Sequence, residues 1–263
     1  MARVALADGE LNYLLEGAEG KPVLVLSNSL GTDLHMWDNQ VPGLLEHFRV
    51  LRFDTRGHGG SLVSPGPYSI AQLGQDVLAL LDHLKLERVY FCGLSMGGQI
   101  GQWLAINAPQ RIAKLILCNT GAKIGAPEVW NPRIETVLRD REAAMAGLRD
   151  ASIARWFTAA YAEANPQIAG RITAMLAATS PDGYAANCAA VRDADFREQL
   201  GRIEAPLLVI SGIEDAVTTP ADGEFIRERV AGAQHVQFHA AHLSSVEVGQ
   251  PFTAAVVKFL LEA

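Results

Sequence analysis

The segment G-L-S-M-G at residues 93–97 combines residue types and a spacing that suggest chemistry. It follows an apolar run, Val89–Cys92, and precedes a helix-forming run, Gln99–Ala105. A serine between glycines on such a strand-to-helix turn is held in a strained conformation, and the following helix directs its amide groups toward developing negative charge. This setting predicts that Ser95 is a nucleophile that forms a covalent acyl intermediate.

A serine nucleophile needs a base within hydrogen-bonding reach and a carboxylate that orients the base. In hydrolases with this turn, the chain order is nucleophile, acid, histidine, and the acid and the histidine follow later strands. Asp215 comes after the apolar run 207–210, and His242 comes after a predicted strand over residues 236–239. The order therefore predicts Asp215 as the acid and His242 as the base.

Other acidic residues and histidines compete for these two roles. Glu214 is adjacent to Asp215, but Asp215 stands one residue further beyond the strand, so we prefer it; Asp193 and Asp195 belong to a helical insertion. The other histidines lie upstream of the nucleophile, in a glycine-rich turn, or in or beside the last strand: His35, His47, His58, His83, His235 and His239. We expect these six to be solvated or structural.

Acyl transfer also needs hydrogen-bond donors for the oxyanion of the tetrahedral intermediate. One donor should be the backbone amide of Met96, the residue after the nucleophile. The second should come from the loop S-N-S-L-G-T at residues 27–32, which follows a predicted strand. We choose the backbone amide of Leu30; the alternative is that Leu30 is an ordinary loop residue.

Short apolar runs alternate with helical patterns along most of the chain, which predicts an α/β fold with a mostly parallel sheet and helices on both faces. The eight predicted strands comprise an edge hairpin and six further runs, at residues 4–6, 11–15, 23–26, 50–53, 89–92, 115–118, 207–210 and 236–239. The alternation stops between Thr120 and Ile203, where prolines 127, 132, 166 and 181 divide a helical stretch. We predict a helical cap over residues 123–196, inserted into a core formed by residues 1–122 and 197–263.

The segment D-T-R-G-H-G at residues 54–59 ends a predicted strand with two glycines and a charge pair that we expect to be buried. We interpret it as a structural turn that holds neighbouring loops and takes no direct part in the chemistry.

Composition narrows the classes of partner. The chain has 263 residues, 49% hydrophobic and 19% charged, which fits a globular protein with a large core, and its net charge of −7 argues against a nucleic-acid partner. We find no signal peptide and no apolar segment long enough to span a membrane, and we read the three cysteines as buried thiols in a reducing cytoplasm. No spacing suggests a metal site or a nucleotide cofactor, and the oligomeric state cannot be read.

At these motifs the chain resembles the α/β-hydrolase superfamily over nearly its full length, and within it is most similar to 3-oxoadipate enol-lactonases. The resemblance to the superfamily rests on residues 54–61, 93–97 and 212–215, and the similarity to enol-lactonases rests on residues 27–32, 36–37, 93–98, 119–120, 123–125 and 130–134. Many relatives carry His-Gly where this chain has Asn28-Ser29, a departure that favours a lactonase over a generic esterase. The resemblance implies a step of aromatic catabolism, the β-ketoadipate pathway, in which an enol-lactone bearing an acetate arm is opened to 3-oxoadipate.

The acetate arm makes the expected substrate a small anionic lactone, and its carboxylate needs a cationic partner in an apolar pocket. The insertion offers Arg133 next to Trp130, with Trp156 further along. We predict that Arg133 binds the carboxylate and that the two tryptophans contact the substrate. The alternatives are a surface arginine and tryptophans that only pack the cap.

Several rival functions share the predicted site. A general carboxylesterase, a hydrolase of carbon–carbon bonds and a cofactor-free perhydrolase all use the same serine turn. A binding or receptor protein with a degenerate site is disfavoured by the intact order of nucleophile, acid and histidine. Epoxide hydrolases and dehalogenases need a carboxylate where this chain has Ser95.

Overall fold

A computed structural model describes residues 1–262, and its sheet has eight strands in the order β1-β2-β4-β3-β5-β6-β7-β8. The strands are β1 (Ala2–Leu6), β2 (Gly9–Glu16), β3 (Val23–Ser27), β4 (Arg49–Phe53), β5 (Val89–Leu94), β6 (Ile112–Cys118), β7 (Leu207–Gly212) and β8 (Gln234–Phe238). β2 pairs antiparallel with β1 and β4, and the other neighbours pair parallel. The predicted α/β fold with a mostly parallel eight-stranded sheet is confirmed.

The helices are α1 (Val41–Leu45), α2 (Ile70–His83), α3 (Met96–Asn107), α4 (Pro127–Trp156), α5 (Ala159–Ala164), α6 (Pro166–Ala178), α7 (Pro181–Asp193), α8 (Pro220–Arg229), α9 (Ser244–Val248) and α10 (Gln250–Leu261). α2 begins where the side chain of Ser69 caps the amide of Gln72, and its apolar residues Ile70, Leu73, Val77, Leu80 and Leu81 are buried. α1 contacts α10, whereas α2 contacts α3, so two groups of helices pack on the sheet.

The centre of the sheet forms the core. All five residues of β3 are buried, which requires that both faces of this strand are covered. The two edge strands, β1 and β8, keep partly exposed residues. The carboxyl ends of the central parallel strands β3, β5, β6 and β7 therefore meet at one edge of a buried sheet, where loops can carry functional groups.

Helices α4 to α7 lie within the range predicted for the cap, and α4 contacts both α6 and α7. Pro127, Pro166 and Pro181 each stand at the start of a helix, as the sequence suggested. The division of the chain into a cap of residues 123–196 and a core formed by residues 1–122 and 197–263 stays a prediction.

The prediction of a helix boundary at Pro132 is wrong, because α4 continues through this residue. A proline in a helix removes one backbone hydrogen bond, and the exposed position of Pro132 lets water satisfy the carbonyl that is left over. The break occurs instead at Arg141, whose φ of 53° and ψ of −124° are not helical. The guanidinium of Arg141 pairs with Asp182 at the start of α7.

Both charges of the turn at residues 54–59 are buried, as expected, but the expected pairing of Asp54 with Arg56 is wrong. Arg56 binds Asp76 through two hydrogen bonds, of 2.8 and 2.7 Å, and also contacts Asp8. Asp54 instead accepts hydrogen bonds from the amides of Leu34 and Gly60, each at 2.8 Å. Because the two charges find partners in different segments, the turn ties together parts of the chain that are distant in sequence.

The three cysteines, Cys92, Cys118 and Cys188, are free and buried, as expected. The sulfur atoms of Cys92 and Cys118 lie 3.7 Å apart on neighbouring strands. Within residues 1–262, none of the helices is both long and apolar enough to cross a bilayer.

Candidate active site

Ser95 lies between the end of β5 and the start of α3, in a backbone conformation that an L-residue rarely adopts. Its φ is 59° and its ψ is −115°. The amide of Ser95 donates to Cys118 O at 2.9 Å, and its carbonyl accepts from Thr120 Oγ1 at 2.7 Å. These two bonds to the segment after β6 hold the strained residue in place.

The glycines on either side of Ser95 are needed because backbones pass each other closely at this turn. A Cβ atom on Gly93 would overlap the carbonyl group of Gly97, and a Cβ atom on Gly97 would overlap the carbonyl group of Ser27. The amide of Gly97 also donates to Asn28 O at 3.1 Å. The turn therefore lies directly against the loop that follows β3.

Ser95, His242 and Asp215 come together in one chain of hydrogen bonds. His242 Nε2 lies 2.9 Å from Ser95 Oγ, and His242 Nδ1 lies 2.9 Å from Asp215 Oδ2. A carboxylate can only accept, so Nδ1 carries the hydrogen and Nε2 is free to accept from the serine hydroxyl. Positions predicted from chain order alone are thus within hydrogen-bonding distance of each other.

Asp215 is surrounded by donors. Burial would raise the pKa of its carboxyl group, but the charge and hydrogen bond of His242, together with hydrogen bonds from Asn119 and Thr218, lower it to about 2. Asn119 Nδ2 donates to Oδ2 at 2.9 Å and Thr218 Oγ1 at 2.8 Å. The carboxylate therefore stays ionised beside the imidazole at any pH near neutrality.

Sequence reasoning missed the roles of Asn119 and Thr218. Asn119 follows β6 with a φ of 43° and also donates to Ala241 O at 3.2 Å, so it links the acid to the histidine loop. The signal for Asn119 was its position after a parallel strand, at the same sheet edge as Ser95 and Asp215. Thr218 had no comparable signal, because it lies in an irregular loop.

Leu30 lies in the loop after β3, and Met96 directly follows Ser95 in the chain. Leu30 and Ser95 both line the pocket described below, and Met96 is the first residue of α3. The neighbouring amide of Gly31 donates to His58 Nε2 at 2.9 Å. Within residues 1–262, neither the Leu30 amide nor the Met96 amide donates to a protein acceptor, so both are available to an oxyanion.

Two buried side chains fix the loop that carries Leu30. Asn28 Nδ2 donates to Phe53 O at 2.8 Å, and Asn28 Oδ1 accepts from Trp37 Nε1 at 2.9 Å. His58 accepts from Gly31 through an unprotonated Nε2, and burial lowers the pKa of His58 to about 4. His58 is thus structural, as expected, and supports the candidate oxyanion loop.

A pocket opens above Ser95 and His242, between the core and α4, α7 and their connections. Its apolar wall consists of Leu30, Ile124, Trp130, Trp156, Val191 and Val217. Trp130 and Trp156 are each only 6% exposed, and Trp130 Nε1 donates to Ile124 O at 2.8 Å. Both tryptophans therefore pack the cap as well as lining the pocket.

Two arginines from α4 line the same pocket, Arg133 and Arg155. Arg133 lies over the ring of Trp130, with its guanidinium carbon 4.9 Å from the ring centroid, and Arg155 donates to Ser152 Oγ at 2.8 Å. Among the described residues, neither arginine forms an ion pair with a carboxylate. Burial, and then the charge of Arg133, lower the pKa of Arg155 below its ordinary value.

Arg155 is a second cationic residue that sequence reasoning did not single out, because α4 and its surroundings contain many arginines. Arg155 could have been identified from its place in the chain directly before Trp156, which the sequence analysis had predicted to contact the substrate. A pair of like charges in a largely apolar wall is unfavourable unless an anion binds between or beside them. The wall thus has the chemistry of a carboxylate-binding site.

The competing acids do not reach the imidazole. Glu214 is exposed, Asp193 pairs with Arg192, and Asp195 pairs with Arg197. Within residues 1–262, no cluster of three or more His, Cys, Asp or Glu side chains has the arrangement of a metal site.

A second set of serine, histidine and carboxylate occurs away from the pocket. His235 Nε2 lies 2.9 Å from Ser211 Oγ, and His235 Nδ1 lies 3.0 Å from Glu224 Oε2. Ser211 is only 2% exposed and lies on β7 against Gly223 of α8, so a substrate cannot approach it. Hydrogen bonds alone therefore do not define the site; the pocket at Ser95 does.

The parallel sheet and the serine at the floor of a pocket are features of the α/β hydrolases. A family model described as the α/β hydrolase fold matches residues 22–247 of this chain. The chain belongs to the α/β-hydrolase family. It is 45% identical to 3-oxoadipate enol-lactonase 2 of Acinetobacter baylyi over 95% of this chain and 92% of that protein.

Two solved structures are similar over almost the whole chain. The enol-lactonase from Burkholderia xenovorans superposes with a TM-score of 0.96 at 48% identity, covering 99% of this chain and 100% of that one. A hydrolase from Pseudomonas aeruginosa superposes with a TM-score of 0.96 at 50% identity, covering 99% and 98% of the two chains.

The close backbone approach at the turn predicts that Gly93→Ala destabilises the protein by about 1–3 kcal/mol or more. The added Cβ atom would overlap the carbonyl group of Gly97, which is part of α3 and cannot move without displacing this helix. Gly147→Ala is the matched control: nothing lies within 4 Å of its added Cβ in α4, so this change should stabilise the helix by about 0.5–1 kcal/mol. Urea unfolding of both variants measures the difference. Equal effects of the two changes would contradict the steric argument.

The buried acceptor His58 predicts a pH-dependent stability. The folded protein keeps His58 neutral down to about pH 4, whereas the unfolded chain takes up a proton near pH 6.5, so stability is lost as pH falls through this window. The loss is about 3 kcal/mol at most. His58→Gln keeps an acceptor without titrating, so its urea-unfolding free energy should depend less on pH, and exposed His83→Gln should behave as wild type. Parallel pH curves for wild type and His58→Gln would disprove the idea.

Proposed function

We propose that this protein is a carboxylic ester hydrolase that opens 3-oxoadipate enol-lactone to 3-oxoadipate through an acyl-enzyme on Ser95. One observation carries the proposal: the hydrogen-bonded chain of Ser95, His242 and Asp215 opens on a pocket whose wall holds two arginines that pair with no carboxylate among residues 1–262. The relatives named enol-lactonases, at 45% and 48% identity, support the choice of substrate.

Acylation begins when Ser95 Oγ attacks the lactone carbonyl carbon and His242 Nε2 takes the hydroxyl proton. The amides of Leu30 and Met96 stabilise the oxyanion, and Asp215 stabilises the imidazolium. As the intermediate collapses, the ring C–O bond breaks and the departing enol oxygen takes the proton from His242. The opened chain remains attached to Ser95 as an ester.

Deacylation repeats these steps with water. His242 Nε2 takes a proton from a water molecule as its oxygen attacks the acyl carbon, and the bond to Ser95 Oγ breaks with return of that proton to the serine. The released acid carries an enol, which tautomerises to the ketone of 3-oxoadipate. No cofactor or metal takes part in this sequence of steps.

The acetate arm of the lactone binds in the cap. Its carboxylate binds to Arg133, which lines the pocket and lies over the ring of Trp130, and Arg155 contributes a second positive charge. The apolar faces of Trp130 and Trp156 pack on the ring and exclude water. In this proposal the cap of residues 123–196 binds the acetate arm and covers the site as a lid, while the core carries out the acyl transfer.

The place of the reaction in the cell follows from the substrate. A small, anionic lactone produced during aromatic catabolism in the β-ketoadipate pathway is consumed in the cytoplasm, where three free thiols are stable. The partner is thus this small molecule, and the acidic net charge of −7 is unsuited to nucleic acid.

The nucleophile is tested by Ser95→Ala. This change should abolish labelling by a fluorophosphonate and lower kcat for the lactone by about 10⁴-fold or more, because neither the bond to the acyl group nor its activation by His242 survives. Loss of lactone absorbance measures turnover, over a panel of enol-lactones and simple aryl esters.

The matched control is Ser211→Ala, which removes the serine of the second, pocketless set and should leave labelling and turnover unchanged. Undiminished labelling of Ser95→Ala would show that another residue is the nucleophile. Aryl esters turned over as fast as every lactone would show that the protein is a general esterase.

The carboxylate site is tested by Arg133→Ala. We expect KM for the anionic lactone to rise about tenfold to a hundredfold, since a charge-assisted hydrogen bond is lost, while kcat/KM for a neutral aryl ester stays within about twofold of wild type. Arg139→Ala is the control, because Arg139 lies on the same helix but is exposed and pairs with Asp140. An unchanged KM for the lactone in Arg133→Ala would exclude this role.

A further inference from the structure

The two residues that flank His242 are held by hydrogen bonds to different parts of the chain. The amide of Ala241 donates to Glu247 Oε2 at 3.0 Å, and the amide of Leu243 donates to Trp156 O at 3.0 Å. Ala241 and Leu243 are 3% and 0% exposed, so water does not compete for either amide. The histidine loop is therefore anchored on one side to α9 and on the other to the end of the cap helix α4.

Glu247 connects these two anchors. Besides Ala241, its carboxylate accepts from the amide of Thr158 at 3.3 Å through Oε2 and from Thr158 Oγ1 through Oε1. Thr158 caps α5 and stands two residues after Trp156, the last residue of α4. One half-buried carboxylate thus bridges the residue before His242 and the junction between two cap helices.

The bridged end of α4 carries part of the pocket wall. Arg155 and Trp156 occupy its last two positions, and both line the pocket above Ser95. A second link runs parallel to the first, since Tyr161 of α5 donates its hydroxyl to Val246 O at 3.2 Å. The base and the cationic wall are consequently connected through α9 by bonds that involve no substrate.

We propose that Glu247 is a positioning residue that holds His242 at a fixed place relative to the Arg155 end of the cap. The bridge sets the distance between the imidazole and the anion-binding wall, so that a substrate held by its carboxylate presents its carbonyl to Ser95 and His242 together. The identity of this substrate and the roles of Ser95 and His242 rest on the proposed function. The bridge itself acts on any acyl group that reaches Ser95.

A misplaced base slows every step in which it moves a proton, because displacement of a catalytic group by about 1 Å costs up to about 100-fold in rate. Loss of the bridge should therefore lower kcat for all substrates. It should also raise KM for a carboxylate-bearing substrate, because Arg155 loses its fixed position. A bridge that merely stabilised the fold would lower the melting temperature and leave both kinetic constants unchanged below it.

The experiment compares Glu247→Ala, Glu247→Gln and Thr158→Val at a temperature well below each melting point. Its first readout is the rate at which a fluorophosphonate labels Ser95, which needs His242 but no particular substrate. The second is kcat and KM for the enol-lactone and for a neutral aryl ester. Glu224→Ala is the control, because this glutamate pairs with His235 away from the pocket.

We expect Glu247→Ala to slow labelling and lower kcat about tenfold or more for both substrates, and to raise KM for the lactone. Glu247→Gln should restore most of the rate, since its amide oxygen can accept from Ala241 and Thr158. The double variant Glu247→Ala/Thr158→Val should be no slower than Glu247→Ala alone, because both changes break the same bridge.

Labelling by Glu247→Ala at the wild-type rate, or effects of the two changes that multiply, would overturn the proposal. So would a Glu247→Gln variant as slow as Glu247→Ala. If the wild type does not turn over the lactone, the proposed substrate is wrong, but the labelling rates still decide whether Glu247 positions His242.

Discussion

The left-handed backbone of Ser95 is the constraint on which the rest of the site depends. Such a conformation costs about 1–3 kcal/mol and persists only where its surroundings fix it. Here the bonds from Ser95 to Cys118 and Thr120 fix it from one side, and the contact of Gly97 with the loop after β3 fixes it from the other. The order of the central strands, β3 beside β5 and β5 beside β6, is what brings these two supports to the same residue.

Under the proposed function, different parts of the molecule carry out the chemistry and the recognition of the substrate. Ser95, Asp215 and His242 follow strands of the core, whereas the positive charges and both pocket tryptophans come from the long helix α4. This arrangement lets the cap change its lining without disturbing the acyl-transfer groups, which is how one fold serves many substrates. The same separation makes the relative position of the two parts a variable that bonds between them must control.

The sequence predicted features that depend on local pattern or chain order. Apolar runs predicted the strands, and chain order predicted that the acid and the base follow later strands. The position of Asp215, one residue further beyond its strand, favoured it over Glu214. What the sequence could not supply depends on folded neighbours. Pro132 was expected to end a helix because a proline inside a helix is unfavourable, and the sequence does not show that this position is exposed. Arg56 was expected to pair with a neighbour in its own turn, but its partner Asp76 lies on α2.

The pair of arginines in the pocket wall also affects the stability of the folded protein. Two like charges in a partly buried wall repel each other, so Arg133 and Arg155 make the empty pocket electrostatically unfavourable. Under the proposed function, a bound carboxylate relieves this repulsion, and every anion that fits, the reaction product included, then stabilises the fold as well as competing with the substrate. The charges that would bind the substrate thus lower the stability of the protein when no anion is bound.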